Sequence, residues 1–271
     1  MRKLCFVAVA LLCVSSAFAQ NNAKNPIWWE KYQYLLNHGA DPDTGTTTSV
    51  TSGTNVDVSN ECGPQSETYI TISTNGRALA GGSNEIFRDP MRGYASADGG
   101  KTWTGVDLPL PAPIGNGIRF GSDPSLTFDS RGNLYYSYIV VFFGNGNGVN
   151  GTEMAVAKSV DGGKSYPSVT YFSFSGGSDH FNDKPMVTTD TTNGPFRDSV
   201  YAAWDAASGG STGGGIRVAA SRDGGASFTV TRADDPHGPG RSIGAVPFVG
   251  TKGELYVAWN DYAANTIEFN R

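Results

Sequence analysis

From about residue 67 onward the chain alternates short apolar runs with Gly-, Asn- and Asp-rich stretches. Glu67–Ile72, Asp123–Phe128 and Asp183–Thr188 each read as a first strand that starts beside an acidic residue. A turn and a second strand follow, over Gly76–Ala80, Gly132–Tyr138 and Ser199–Trp204. Third strands are expected over Met154–Lys158 and Ile216–Ala220, each running into a polar turn and a fourth strand. Runs this short, rich in β-branched and aromatic residues and bounded by glycines, form strands rather than helices. A fourth unit begins at Ala245–Pro247, takes Gly253–Trp259 as its second strand, and aligns Ile267–Arg271 with Ile216–Ala220. The part ahead of the strands differs. Asn25–Gly39 predicts a short helix with Trp28, Trp29, Tyr32, Leu35 and Leu36 on one side, and Asp43–Asn60 reads as a Ser/Thr/Gly linker.

The turn after each third strand repeats. Ser96-Ala-Asp98-Gly99-Gly100-Lys-Thr-Trp103 returns as Ser159-Val-Asp161-Gly162-Gly163-Lys-Ser-Tyr166 and as Ser221-Arg-Asp223-Gly224-Gly225-Ala-Ser-Phe228, with the aspartates 63 and 62 residues apart. Self-similarity at such a period signals stacked or radial units. In each octet the glycine pair supplies positive φ, Ser and Asp oxygens satisfy turn amides, and the aromatic closes over the hairpin. Four antiparallel strands in about 60 residues, repeated, make a propeller blade.

Composition bears on compartment and partners. Arg2 and Lys3, the apolar stretch Leu4–Val14 and Ala17-Phe18-Ala19 predict a signal peptide over residues 1–19, so the mature protein is expected to be secreted, periplasmic or at the cell surface. No second apolar stretch suggests a membrane segment. Removing Arg2 and Lys3 from 20 basic against 25 acidic residues leaves a balance of −7, which gives no electrostatic reason to bind nucleic acid. Cys62 alone remains after the signal, which rules out an intramolecular disulfide; it is expected to be a buried small hydrophobe. Three histidines argue against a zinc hydrolase, no Gly-x-Ser-x-Gly elbow is present, and Gly144–Gly148 lacks the Lys-Ser/Thr of a phosphate cradle. No cofactor is expected; the oxygen-rich groups Asp179/His180/Asp183 and Asp234/Asp235/His237 would suit calcium better than a transition metal.

The octets are those of the Asp box, or BNR repeat, and the chain over about residues 63–271 resembles the sialidase-like β-propeller superfamily. The resemblance implies an all-β propeller of six blades, of which three and a half lie in this chain, after an N-terminal segment over residues 20–62. It implies that the octets are structural and that ligands bind on the opposite face, at the loops leading into first strands and those between second and third strands. Arg119, Asp123, Asp183 and Asp234 belong to the first group on this reading; Asn84, Glu85, Asp89, Asp205, Asn260 and Asp261 to the second. The family holds a sugar carboxylate with three arginines and uses a Tyr nucleophile, its activating Glu and an Asp acid/base. Asp89, in the first blade's loop, takes the acid/base position, with Arg88 and Arg92 as substrate contacts. Asp205 and Asp261 follow Trp204 and Trp259 in what read as matching positions and could line a sugar subsite. The family's first arginine has no counterpart near Glu67-Thr68-Tyr69, and the later first strands open on Asp123 and Asp183, the wrong sign for an anionic sugar. The expected function is cleavage of terminal glycosidic bonds in extracellular glycans; the alternative is a non-catalytic propeller that binds glycans or proteins.

Overall fold

A computed structural model describes residues 33, 36–37, 56–144, 148–176, 180–208, 215–234, 242–261 and 264–271. The chain divides into two compact units, Met1–Pro42 and Asp43–Arg271. In the first, Gln33, Leu36 and Asn37 are helical, and the Asn37 side-chain amide donates to the Gln33 carbonyl at 2.8 Å. The signal peptide, Trp28, Trp29, Tyr32 and Leu35 lie outside the described residues.

The second unit is built of strands in four antiparallel sheets. The first contains β1 (Gln65–Ile72), β2 (Leu79–Glu85), β3 (Arg92–Ser96) and β4 (Thr104–Asp107) in chain order. The second contains β5 (Ile118–Phe128), β6 (Leu134–Phe143), β7 (Val149–Ser159) and β8 (Ser168–Gly176); the third, β9 (His180–Thr189), β10 (Val200–Ser208), β11 (Ile216–Ser221) and β12 (Thr229–Arg232). The fourth has three strands, β13 (Ser242–Val249), β14 (Leu255–Asp261) and β15 (Thr266–Asn270). Each sheet is a meander of neighbouring strands, and β1, β5, β9 and β13 pack side by side as the innermost strands. These are propeller blades.

The strands run further than the sequence pattern indicates. Leu134–Phe143 is apolar without interruption apart from Ser137 and is buried at every position, as befits a strand covered on both faces. β5 pairs with it from Phe128 back to Ile118, so Arg119 and Asp123 belong to the strand rather than to the loop before it. Asp183 likewise lies inside β9, Asp205 in β10, and Asn84 and Glu85 in β2.

Blades meet through alternate side chains. Leu126, Leu134, Tyr136 and Tyr138 of the second blade pack with Ala80 and Met91 of the first, and a Cβ added at Gly82 would overlap the Tyr136 ring. The Tyr136 hydroxyl donates to the Arg92 carbonyl at 3.2 Å, which ties the two sheets together. Val187 and Val200 of the third blade pack with Tyr135 and Val156 of the second. Ile216 and Val218 meet Ala245, Val257 and Trp259 of the fourth.

The three octets are turns between third and fourth strands that share one hydrogen-bond pattern. Ser96, Ser159 and Ser221 each donate to the aspartate two residues on (2.8, 2.7 and 2.7 Å) and accept the N–H of the second glycine (2.9, 2.8 and 2.8 Å). Asp98, Asp161 and Asp223 each accept two backbone amides at 3.0 Å, from residues three and four ahead, and the hydroxyl of Thr102, Ser165 or Ser227. All six glycines have positive φ, which an L side chain adopts at a cost. Cys62 departs from expectation: it is exposed, in the segment ahead of β1.

Candidate functional site

Every innermost strand carries a β-bulge at the same place. The register shifts between Ser66 and Tyr69 in β1, Ser122 and Ser125 in β5, Asp183 and Met186 in β9, and Ile243 and Val246 in β13. The second residue of each bulge is left-handed: Glu67 (φ 53°), Asp123 (φ 60°), Lys184 (φ 50°) and Gly244 (φ 75°). Gly244 shows that the backbone needs only a glycine there. The other three blades accept a strained residue and thereby place a charged side chain at the bulge. The third bulge position is Pro124 in β5 and Pro185 in β9, a residue that interior strands admit at bulges.

The bulges are linked from blade to blade. The Asp123 N–H is accepted by Asn84 Oδ1 of the preceding blade at 2.7 Å, and the Lys184 N–H by Asp123 Oδ2 at 3.2 Å. The Gly244 N–H is accepted by Asp205 Oδ2 at 3.1 Å. Asn84 and Asp205 occupy equivalent positions, opposite Ser66 and Asp183, and so does Asn260, opposite Ile243. This corrects the sequence alignment of Asp205 with Asp261. Trp204 and Trp259 both lie across a bulge, so the counterpart of Asp205 is Asn260, and Asp261 falls one residue on, paired with Ser242. One step along a strand reverses the face. Asp261 accepts the Ala264 N–H at 2.9 Å instead.

The bulge side chains converge. The Lys184 ammonium pairs with Glu67 Oε1 across blades one and three and stands 4.0 Å from Asp123 Oδ1. Asp123 lies beside the Glu67 and Asp183 carboxyls and accepts the Ser122 hydroxyl at 2.9 Å. Asp183 also accepts the Lys184 N–H at 3.0 Å. Burial, then the hydrogen bond to Asp123 and its charge, push Asp183 up to about 8. Burial works against ionised Asp123 too, but hydrogen bonding with the neighbouring Glu67 and Asp183 carboxyls and the Lys184 charge outweigh it and hold Asp123 down at about 2. Proton affinity is thus raised on Asp183 and lowered on Asp123, and burial with the neighbouring Asp123 raises Glu67 as well. Burial likewise raises Asp205, to about 7, despite the amides of Gly244 and Ala245. Asp205 is 2 % exposed, and its Oδ1 has no hydrogen-bond partner.

The loop residues assemble elsewhere. Arg88 Nη2 donates to both Asp107 carboxylate oxygens, at 2.7 and 2.6 Å, and Arg92 stands between Asp107 at 2.9 Å and Glu61 at 2.8 Å. Asp89 faces Arg119 of β5 at 3.8 Å. Glu85 accepts the hydroxyls of Ser83 and Tyr94 at 2.6 and 2.7 Å, and burial with the nearby Glu85 raises Glu61 to about 7. Asp234 is held by Arg232 at 2.7 Å. Among the described residues no group of three or more His, Cys, Asp or Glu is arranged to hold a metal ion; Asp179, Asp235 and His237 lie outside them. Lys184 was not singled out by the sequence, although Pro185 inside an apolar run was the signal of a bulge.

No family model matches the sequence, and no curated protein matches it. Solved structures do. An intramolecular trans-sialidase from leech is 12% identical, with a TM-score of 0.55 over 85% of this chain and 51% of its own. The intramolecular trans-sialidase of Ruminococcus gnavus is 12% identical, with a TM-score of 0.51 over 73% and 66%. A Hadza microbial sialidase is 15% identical, with a TM-score of 0.50 over 76% and 43%. The fold is the sialidase-type β-propeller. At these identities the likeness is one of fold, and the chain spans about half the length of the leech protein.

Proposed function

We propose that this is an exported carbohydrate-active protein that hydrolyses terminal glycosidic bonds of extracellular glycans at the mouth formed by the innermost strands. One observation carries the reading: Glu67, Asp123 and Lys184 stand at equivalent left-handed bulges, and with Asp183 they bring together carboxyls whose surroundings push their proton affinities in opposite directions. Carboxyls driven apart in protonation are what glycoside hydrolysis uses, one as acid and another as base or nucleophile. The described cluster has three carboxyls around one ammonium and no guanidinium, so it suits sugar hydroxyls better than a sugar carboxylate. On the narrower sialidase-like version, Asp89 is the acid/base and the arginine clamp is supplied by further blades of a six-bladed ring.

A second reading, glycan binding without turnover, is favoured by one feature. Lys184, Glu67 and Asp123 already satisfy one another, as a structural network does. The full-length exported protein assayed on fluorogenic sialosides and on neutral exo-glycosides separates these versions. Turnover of a neutral glycoside that Asp183→Asn reduces and Asp89→Asn does not is the expected result. Sialoside turnover lost in Asp89→Asn would favour the narrower version, and no turnover with retained glycan binding would favour the second reading.

A further inference from the structure

Among the described residues, the third blade alone has acids at two directly opposed positions. Asp183 in β9 pairs with Asp205 in β10; the equivalent pairs are Ser66 with Asn84 in the first blade, Ser122 with Ile139 in the second and Ile243 with Asn260 in the fourth. Capping the next bulge does not require a carboxyl, since Asn84 does it with an amide oxygen at 2.7 Å. Asp205 uses only Oδ2 for that task. Its Oδ1 is buried without a partner, on the residue directly across from Asp183. A buried carboxyl oxygen without a hydrogen bond is costly, and an asparagine in its place would leave no charge to bury.

We propose that Asp183 is the proton donor of the mouth and that Asp205 is the positioning residue that keeps the proton on it. This rests on the glycan-hydrolysing reading. Directly opposed residues of antiparallel strands share a face, so ionisation of Asp183 would set a second negative charge beside Asp205. The other groups around Asp183 are Asp123 from β5, whose charge opposes its ionisation, and the Lys184 ammonium, which favours it but is shared with Glu67 of β1. From β13 the bulge presents Ile243 and Gly244, neither of which titrates. In the step itself the Asp183 carboxyl gives its proton to the bridging glycosidic oxygen. The carbon–oxygen bond breaks and its electron pair stays on that oxygen. Water supplies a hydroxyl to the sugar carbon, and the proton it gives up restores Asp183.

The test uses full-length protein with ¹³C-labelled aspartate carboxyls, titrated by NMR in the wild type, Asp183→Asn and Asp205→Asn. The wild type is expected to show a carboxyl that stays protonated through neutral pH. That signal should vanish in Asp183→Asn and move to lower pH, by roughly half a unit, in Asp205→Asn. On any glycoside that turns over, Asp205→Asn should shift the alkaline limb of the pH profile the same way, whereas a structural role would lower kcat with the limb unmoved. An Asp183 that titrates in the ordinary carboxylate range, or a limb that Asp205→Asn leaves in place, overturns the proposal while hydrolysis stands. Absence of turnover on all glycosides, with the NMR shifts as expected, overturns the hydrolytic reading and the donor role with it, and leaves Asp205 as the residue that sets the proton.

Discussion

At the residue scale, the same side chain type does opposite work in two places. The octet aspartates are exposed and ionised; their hydrogen bonds from hydroxyls and backbone amides hold Asp98, Asp161 and Asp223 below the usual carboxylate range. A carboxylate depressed in the fold contributes stability above its unfolded value and loses it as the pH falls through the folded one. Asp161→Ala removes the acceptor of two amides and two hydroxyls, and is expected to cost about 1–2 kcal/mol, read as a lower melting temperature at neutral pH. Buried Asp205 and half-buried Asp183 behave the other way. Their protons are held more tightly in the fold than in the unfolded chain, so the native state binds more protons between about pH 4 and pH 8. Their contribution to stability is fully present below pH 4 and declines as the pH rises toward 8. Asp205→Asn keeps the cap on Gly244 and should flatten that decline, with equal or higher stability at pH 8 measured by denaturant unfolding. A steeper loss in the variant would contradict the cap equivalence with Asn84.

At the scale of elements, the octets were legible because their whole geometry lies within eight residues. The glycine pair, the serine two positions before the aspartate and the hydroxyl four after it are all local, and the hydrogen bonds follow directly. The bulges were not legible in the same way. A bulge is a relation between two strands, so what it does to each side chain is read only from the pairing; the offset of Asp261 is the exception, since Asp205 directly follows Trp204 whereas Asn260 stands between Trp259 and Asp261. Pro124 and Pro185 were its only sequence marks, and they placed Asp123 and Lys184, not Asp183, at the left-handed position. The extent of β5 was equally hidden, because Ile118–Ser122 forms strand only through pairing with Ile139–Phe143. Blade contacts set their own limits on the elements. Gly82 lets β2 approach Tyr136, and Gly82→Ala, which would drive a methyl into that ring, is expected to destabilise by about 1–3 kcal/mol in a chemical-denaturation measurement. Gly76, with nothing within 4 Å of its added Cβ, would lose only the conformational advantage of its positive φ.

At the scale of the molecule, each blade buries one face against its predecessor and the other against its successor. Leu126 and Val187 are 1% and 5% exposed, whereas their counterpart in the first blade, Ile70, is 63% exposed. Ile216 and Val218 are covered, whereas Ile267 and Phe269, their counterparts in β15, are 76% and 70% exposed. The blades at either end of the described arc thus present apolar faces of the kind that inner blades cover. Ile267→Ser with Phe269→Ser should reduce self-association of this chain at high concentration, checked by light scattering. The central claim is that glycans meet the protein at the bulges and not at the conspicuous octets. Amide hydrogen exchange of the full-length protein, with and without a saturating glycan ligand found by array screening, tests it most directly. Added protection is expected around Ser66–Thr68, Ser122–Pro124 and Asp183–Pro185, with Asp98–Thr102, Asp161–Ser165 and Asp223–Ser227 unchanged. Protection confined to the octet turns would contradict it.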